Sequence, residues 1–554
     1  MIETPVLIVG GGPVGLTLAA ELAWRGNECM LVEERTAPTE HPKATLLGAR
    51  SMEYFRRWGI TDDILAAALP ADINYFISFS TRLTGHELHR VTSPSIREAL
   101  EQRPETLATY RELNWSPYYK TQIGQQALEP VLWRFAERQS RLALKHGWKL
   151  IAFEEDESGV TSRVVDRASG EEHRVRSRYL VASDGGTSSI RKSLGIRYNG
   201  RGQMRGNVSF YFRSKEFLTK HKLGVCNLYF VFTPDSFGVF TAIDGVERWS
   251  YQHYFLDKTK ETTELDPKEV LHRAMGAPFE LELQAVQHWH HHQSVARRWR
   301  SALGNVFLAG DAAHLFVPTG GVGMNTGIGD AIDLGWKLDG TLKGWAGPGL
   351  LASYEAERKP IAVRNSVISA NNSDKIDMVM DETPPEIEAN DARGEAVRAE
   401  IKKKIRWMAR QFNSGGTHLG YRYVDSPIIV ADGTHEPPDD FMQVVPSTWP
   451  GSRAPHAWIE HAKRTTLDIF GREWVLLRIG DDAPGAAGFG GVLGGTGMPV
   501  RVETFTEPAI AKLYEKKLLL IRPDGHVAWR GDMLPTDLDR VRDQVRGADQ
   551  VRGA

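Results

Sequence analysis

The stretch PVLIVGGGPVGLTLAAELAW, residues 5–24, decides the fold. Residues 5–9 are a short continuous apolar run that reads as a buried strand. Gly10, Gly12 and Gly15 follow at GxGxxG spacing before a helical run over residues 16–24. Gly10 permits the tight turn, the missing side chain at Gly12 lets a pyrophosphate approach the backbone, and Gly15 allows close helix–strand packing. The helix start, with Pro13 inside the motif, turns free N–H groups and a positive dipole end towards the phosphates. Gly26 stops the helix, residues 29–32 make a second strand, and Glu33 stands where an acid can hold ribose hydroxyls. Glu34 beside it could do the same, although register favours Glu33, and Arg35 completes this group of candidates. An acidic ribose clamp suits NAD and FAD alike, so these residues leave the dinucleotide open.

Two distant segments choose between them. Residues 178–182 form another short strand, followed by SDGGTSSIR, residues 183–191. Alone, an Asp-Gly followed by hydroxyl residues is a turn with a helix cap. The stretch NVFLAGDAAHLFVPTGGVGMNTGIGDAIDLGWKL, residues 305–338, says more. It reads as a buried strand ending at Asp311, then a Pro-Gly loop opening a helix near Asn325. Asp311 can accept from ribityl hydroxyls, and Gly320, Gly321 and Gly323 let the backbone lie against a flat ring. The helix start, with Met324 and Asn325, offers N–H groups to an anion. A flavin needs this, because reduction puts negative charge near N1 and the C2 carbonyl oxygen.

Together the three motifs resemble those of the flavoprotein aromatic hydroxylases, single-component FAD monooxygenases with the para-hydroxybenzoate hydroxylase fold. The resemblance implies that Asp184 and Gly185 serve FAD and nicotinamide binding, and that Gly310, Asp311 and the Pro318 loop hold the ribityl and pyrophosphate. Residues 41–59 resemble the family's stretch after the second strand, and QQALE, residues 125–129, resembles its QxxLE helix, with Gln125 on the cofactor. Lys43 stands where the family usually has Arg, which keeps the charge and loses the bidentate geometry. Residues 450–456, 474–479 and 518–530 resemble the thioredoxin-like C-terminal domain of the phenol hydroxylase and polyketide hydroxylase subgroups. It contains no cysteine and cannot be redox-active.

The implied fold class is α/β: a Rossmann-like FAD-binding domain with an inserted β-sheet substrate domain and a C-terminal thioredoxin-like domain. The expected boundaries are residues 1–75, 105–197 and 296–400 for FAD, 76–104 and 198–295 for substrate, and 420–554 for the tail. The implied activity is hydroxylation of a small phenolic ring with NAD(P)H and O2 through a flavin C4a-hydroperoxide. A quinone-like or polyketide ring is the alternative, and a non-catalytic FAD-binding protein a more remote one. Family members are often dimers, and the resemblance leaves the oligomeric state open, a homodimer included.

Between residues 198 and 297 aromatic and polar residues alternate, as in a β-sheet. Tyr229, Phe240, Tyr251, His253 and Phe316 are candidate substrate walls, and Tyr211, His290 and His292 candidate catalytic groups. The run HWHHH, residues 288–292, is not expected to bind metal, since in a strand only alternate residues share a face. Phenol hydroxylases carry a substrate-deprotonating Asp at the position matched here by Thr45, so that role must pass elsewhere. Residues 374–404 read as an exposed connection followed by a helix from about residue 386, and the glycines of 488–497 as a loop.

Composition sets the remaining bounds. At 554 residues, with 41% hydrophobic and 25% charged side chains, the chain reads as a multidomain soluble enzyme. A net charge of −2 gives no field that would gather nucleic acid or anionic lipid. Two cysteines, no signal-like N-terminus and no apolar stretch near about 20 residues argue for a reducing, cytoplasmic location away from membranes.

Overall fold

The computed structural model describes residues 1–255 and 265–548. Strand Ile2–Val9 lies inside a parallel sheet, flanked by Cys29–Glu33 on one side and Glu172–Ala182 on the other. Leu142–His146 extends the sheet beyond Cys29–Glu33, and Val306–Leu308 pairs in parallel with Glu172–Ala182. Residues Val6 to Val9 are apolar without alternation because the strand is buried on both faces. Register matters most here. Val9 is opposite Ala182, and Ala182 is opposite Leu308, so Gly10, Ser183 and Ala309 leave the sheet at one edge. Three motifs spread over some three hundred residues thereby converge at the carboxyl ends of parallel strands, where α/β sheets bind ligands.

A second sheet of eight strands is built mainly from Tyr198–Arg213, Leu228–Thr233, Ser236–Ala242, Arg248–Tyr254 and Glu282–Ala296. Its two faces are separate cores, as the two-residue period of a strand requires. Val208, Phe210, Phe212, Tyr229, Phe240, Trp249 and Tyr251 pack with the helix Pro267–Met275. Phe79, Phe230, Phe232, Val239 and Tyr254 pack the other way, against the helices Ser353–Asp381 and Ala392–Met408.

The C-terminal unit is a four-stranded sheet in the order Val500–Phe505, Trp474–Ile479, Leu518–Ile521, Val527–Gly531. The first pair is parallel and the others antiparallel, a βαβ crossover followed by a hairpin. Two expectations need correction. Residues 374–381 are not a connection but the last two turns of the helix Ser353–Asp381, and the next helix is Ala392–Met408. Residues 488–494 are not a loop but belong to the helix Ala487–Gly494, held by Phe489 and Leu493 in the apolar core beside Trp529. Among the described residues, no helix is long and apolar enough to cross a membrane.

Candidate cofactor and substrate site

The glycines of the first motif have different geometries. Gly10 sits at φ +107° with its N–H on Val32 O (2.9 Å), and a Cβ there would lie 2.3 Å from Ser183 O. A Cβ on Gly15 would lie 1.9 Å from Gly10 O. Both are steric necessities of the turn. Gly12 is ordinary extended backbone (φ −75°, ψ −179°) with nothing within 4 Å of a built Cβ. Its missing side chain leaves open space, directly before a helix, Pro13–Trp24, that starts without a side-chain cap. The free N–H groups of Gly12, Val14 and Gly15, with Pro13 carrying none, face an open approach and form an anion cradle.

Glu33 is buried at that turn. Its Oε2 accepts from Gly11 N–H (2.5 Å), and its Oε1 accepts from the backbone N–H (2.8 Å) and Nε (3.0 Å) of Arg35. Glu34, one residue on, turns outward to Lys149 (3.2 Å), so the structure does not bring it to the cradle. Arg35 Nη1 also reaches Glu129 Oε2 (3.3 Å), which accepts from Thr39 N–H (2.9 Å), and Gln125 Nε2 donates to Glu129 Oε1 (2.6 Å). Glu129, not singled out from the sequence, is thus the post that ties Gln125 and residues 35–39 together. The QxxLE spacing itself carried that signal, since i and i+4 share a helix face.

In the second motif Asp184 caps the following turn, its Oδ2 accepting from Ser189 N–H (2.9 Å). Its Oδ1 and the Ser183 Oγ are buried without a protein partner, and Gly185 sits at φ +80°. Asp184 is therefore a cap with one oxygen left over at the convergent edge. In the third motif Asp311 is accessible to solvent yet crowded by protein. Burial raises its pKa although His314 and Lys43 act to lower it, which places Lys43 within electrostatic reach. An accessible carboxylate with little water around it is an acceptor on the floor of a cleft. The turn is braced from behind by Asp330, which takes Gly310 N–H (3.2 Å), His314 Nε2 (2.7 Å) and Arg358 Nε (2.9 Å). Burial opposes ionisation of Asp330, but His314 and Arg358 outweigh it and keep the pKa low. Sequence reading missed this brace because Asp330 sits mid-helix, without a motif.

The loop that follows turns on Gly321 N–H to Pro318 O (3.0 Å), with Gly320 at φ +88° and Gly321 at φ +63°. It ends in the uncapped start of the helix Gly323–Leu342, with Met324 packed on the main core. Phe316 stacks on His314 (4.6 Å between centroids) and faces Gly323. The Asn325 side chain, a candidate ligand contact, is fully engaged elsewhere. Its Oδ1 accepts from Gly48 N–H (2.8 Å) and Ser51 Oγ (2.7 Å), and its Nδ2 donates to Leu46 O (3.0 Å) and Gly321 O (2.8 Å). Asn325 fastens the loop to residues 46–51, leaving only its backbone for a ligand. Asn325→Leu should cost about 2–4 kcal/mol at about 1 kcal/mol per hydrogen bond. Urea unfolding checks this, and the variant should also release bound flavin faster than the wild type.

The substrate walls need the largest revision. Tyr229, Phe240 and Tyr251 are fully buried in the core against Pro267–Met275, and the Tyr229 hydroxyl is spent on Gly224 O and Cys226 N–H (both 2.7 Å). His253 pairs with Val208 and meets Phe255 on the same side. His290 lies opposite Gly206 beside Phe255, with His292 adjoining it (6.4 Å between rings). All six residues are on the face opposite the one that meets His41 and the segment after the second strand, so neither histidine belongs to the site. Tyr211 does lie on the near face: its ring meets His41 edge-on (6.3 Å), and His41 Nε2 is 3.2 Å from Ser209 Oγ. Asn207, Trp289 and His291 share that face. Burial, helped by Lys43, lowers the His41 pKa and so favours the neutral imidazole.

A FAD binding domain family matches residues 3–367, and an aromatic-ring hydroxylase C-terminal family matches residues 447–548. The chain is similar to the tetracenomycin A2 monooxygenase-dioxygenase of Streptomyces glaucescens, at 31% identity over 97% of this chain and 94% of that one. It is 32% identical to a 4-methyl-5-nitrocatechol 5-monooxygenase of a Burkholderia species, covering 97% and 95%. Among solved structures it resembles the rebeccamycin biosynthetic enzyme RebC with reduced flavin, with a TM-score of 0.88, 36% identity and coverage of 99% and 100%. It also resembles the aklavinone-11 hydroxylase in complex with FAD and aklavinone, with a TM-score of 0.80, 28% identity and 99% coverage of each chain.

Proposed function

From the premise that this chain belongs to the FAD-dependent monooxygenases that act on aromatic and polyketide rings, we propose that it hydroxylates a small phenolic ring with NAD(P)H and O2. The observation that carries this reading is the convergence at one sheet edge of the open Gly12 approach, the unpaired Asp184 Oδ1 and the accessible Asp311. These residues suit a flavin dinucleotide: Gly12 and the start of Pro13–Trp24 for pyrophosphate, Glu33 for ribose, Asp311 for ribityl, and the uncapped start of Gly323–Leu342 for the ring. Reduced FAD supplies the electrons that activate O2 for transfer to the substrate.

The chain's own work is to bind, orient and handle protons. The near face of the second sheet, with Tyr211, Ser209 and Trp289, provides an aromatic wall with polar points. Thr45 cannot deprotonate a phenol, so His41, neutral and between Ser209 and Tyr211, takes the proton at its imidazole. A polycyclic polyketide ring is the second reading, supported by the names of the tetracenomycin and aklavinone relatives.

Anaerobic stopped-flow reduction with NADH and NADPH, across phenols, nitrocatechols, hydroxyquinones and polycyclic polyketides, tests both. One ligand class should accelerate flavin bleaching at least about tenfold, near 1.4 kcal/mol of barrier, and yield a product carrying one atom of labelled O2. Acceleration by polycycles alone moves the reading to polyketides. No acceleration by any ligand overturns it.

A further inference from the structure

A cavity of about 340 Å3 lies between the first domain and the C-terminal unit. That is the size of a small-molecule site. Trp115 and Tyr421 supply aromatic walls, and Arg422, Ser452, Arg453 and His456 supply polar ones. No acidic side chain is among its described lining residues. Arg453 is neutralised from behind by Glu53, with Nε at 3.0 Å from Oε2 and Nη2 at 2.5 Å from Oε1. Arg422 is different. Its guanidinium donates to the carbonyls of Pro437 (2.5 Å) and Pro438 (2.8 Å), its nearest carboxylate is Glu436 (3.2 Å), whose side chain is 42% exposed, and Asp439 acts on it from further off. Its positive charge is only weakly compensated. Ser452, 5% exposed, adds an independent sign: its Oγ is buried without any hydrogen-bond partner. A buried hydroxyl in a cavity wall is costly unless something accepts from it or donates to it.

We infer that this cavity is a second binding site, for a planar aromatic monoanion of one or two rings such as an aromatic carboxylate. The rings lie between Trp115 and Tyr421, the carboxylate pairs with Arg422, and Ser452 Oγ donates to it. None of these residues belongs to the flavin cleft, so the inference does not rest on the proposed reaction.

Isothermal titration of the FAD-loaded full chain with 2-naphthoate, and with its neutral counterpart 2-naphthalenemethanol, tests it. Naphthoate should bind once per chain and at least tenfold more tightly than the alcohol. Arg422→Met should abolish that preference while leaving the alcohol's affinity within twofold, and Ser452→Val should weaken naphthoate severalfold. Equal affinity for the two probes overturns the inference. So does naphthoate binding that neither variant changes, since the probe then sits elsewhere, the flavin cleft included. Circular dichroism and flavin content confirm that each variant is folded, and Ser452→Val, nearly isosteric, remains decisive if Arg422→Met fails to fold.

Discussion

A Gly12→Asp protein is expected to fold and to be colourless. Gly12 has a backbone conformation open to any L-residue and no atom within 4 Å of a built Cβ, so the apo chain accommodates the substitution without a clash. The added carboxylate occupies the space through which pyrophosphate reaches the start of helix Pro13–Trp24, and it repels that anion. FAD affinity should fall by at least about 100-fold, near 2.7 kcal/mol. Gly15→Ala would be a poor substitute test, because its Cβ would lie 1.9 Å from Gly10 O and so distort the turn itself. Flavin-to-protein absorbance, FAD titration by fluorescence quenching and a circular dichroism melt form the measurement. A stoichiometrically yellow Gly12→Asp protein would remove this turn from the cofactor site.

What the sequence made legible was local chemistry. The strand–turn–helix over residues 2–24 is written in an apolar run and in glycines, of which Gly10 and Gly15 are each required by a neighbour while Gly12 leaves open space. The same holds at Gly310, where φ is +60° and a Cβ would meet Val14. The second sheet was legible as a sheet, but its face was not. Tyr211 and Tyr251 look alike in sequence, yet pairing of Phe210 with Tyr251 turns one towards the cofactor segment and the other into the opposite core. Alternation says that two faces exist; only the register and the packed helices say which is which. The helix Ala487–Gly494 was misread for another reason. Each glycine costs about 1 kcal/mol against alanine in a helix, and burial of Phe489 and Leu493 overrides that propensity. Charge misled at residues 374–381, where the acids pair with the sheet: Arg201 with Asp374 (2.8 Å) and Arg205 with Asp377 (2.9 Å). Such partners lie some 170 residues apart and leave no local trace.

The same kind of long-range pairing decides how the C-terminal unit is held, and it leads to the second large effect: Arg522→Met should destabilise the protein by about 3–5 kcal/mol at neutral pH. Arg522 is 0% exposed. It donates to Glu357 (2.6 and 2.9 Å), Asp333 (3.0 Å) and Asp524 (2.7 Å), while Lys337 donates to Asp333 (2.7 Å) and Glu357 (2.6 Å). Three buried carboxyl groups therefore share two buried cations; burial pushes Asp333 up to about 7, so removing Arg522 strands negative charge chiefly on Glu357 and Asp524, in a dry interior. Burial would raise the Glu357 pKa, but Arg522 and Lys337 outweigh it and hold it near 2. A lowered carboxyl pKa stabilises the fold above the ordinary value near 4.5 and loses that contribution as pH falls towards 2. Without Arg522 the carboxylates can instead take up protons on acidification, so the gap between variant and wild type should narrow from pH 7 to pH 4. Urea unfolding at the two pH values checks the sign, and an unchanged gap would show that Arg522 acts through packing alone. The bolt also has a direction. Asp333 and Lys337 belong to the helix whose first turn opens at the flavin loop, and Arg522 and Asp524 to the turn before Val527–Gly531. In the variant, flavin fluorescence should rise in the same transition that unfolds the C-terminal sheet, and an early transition that leaves flavin bound would make that unit a separable appendage.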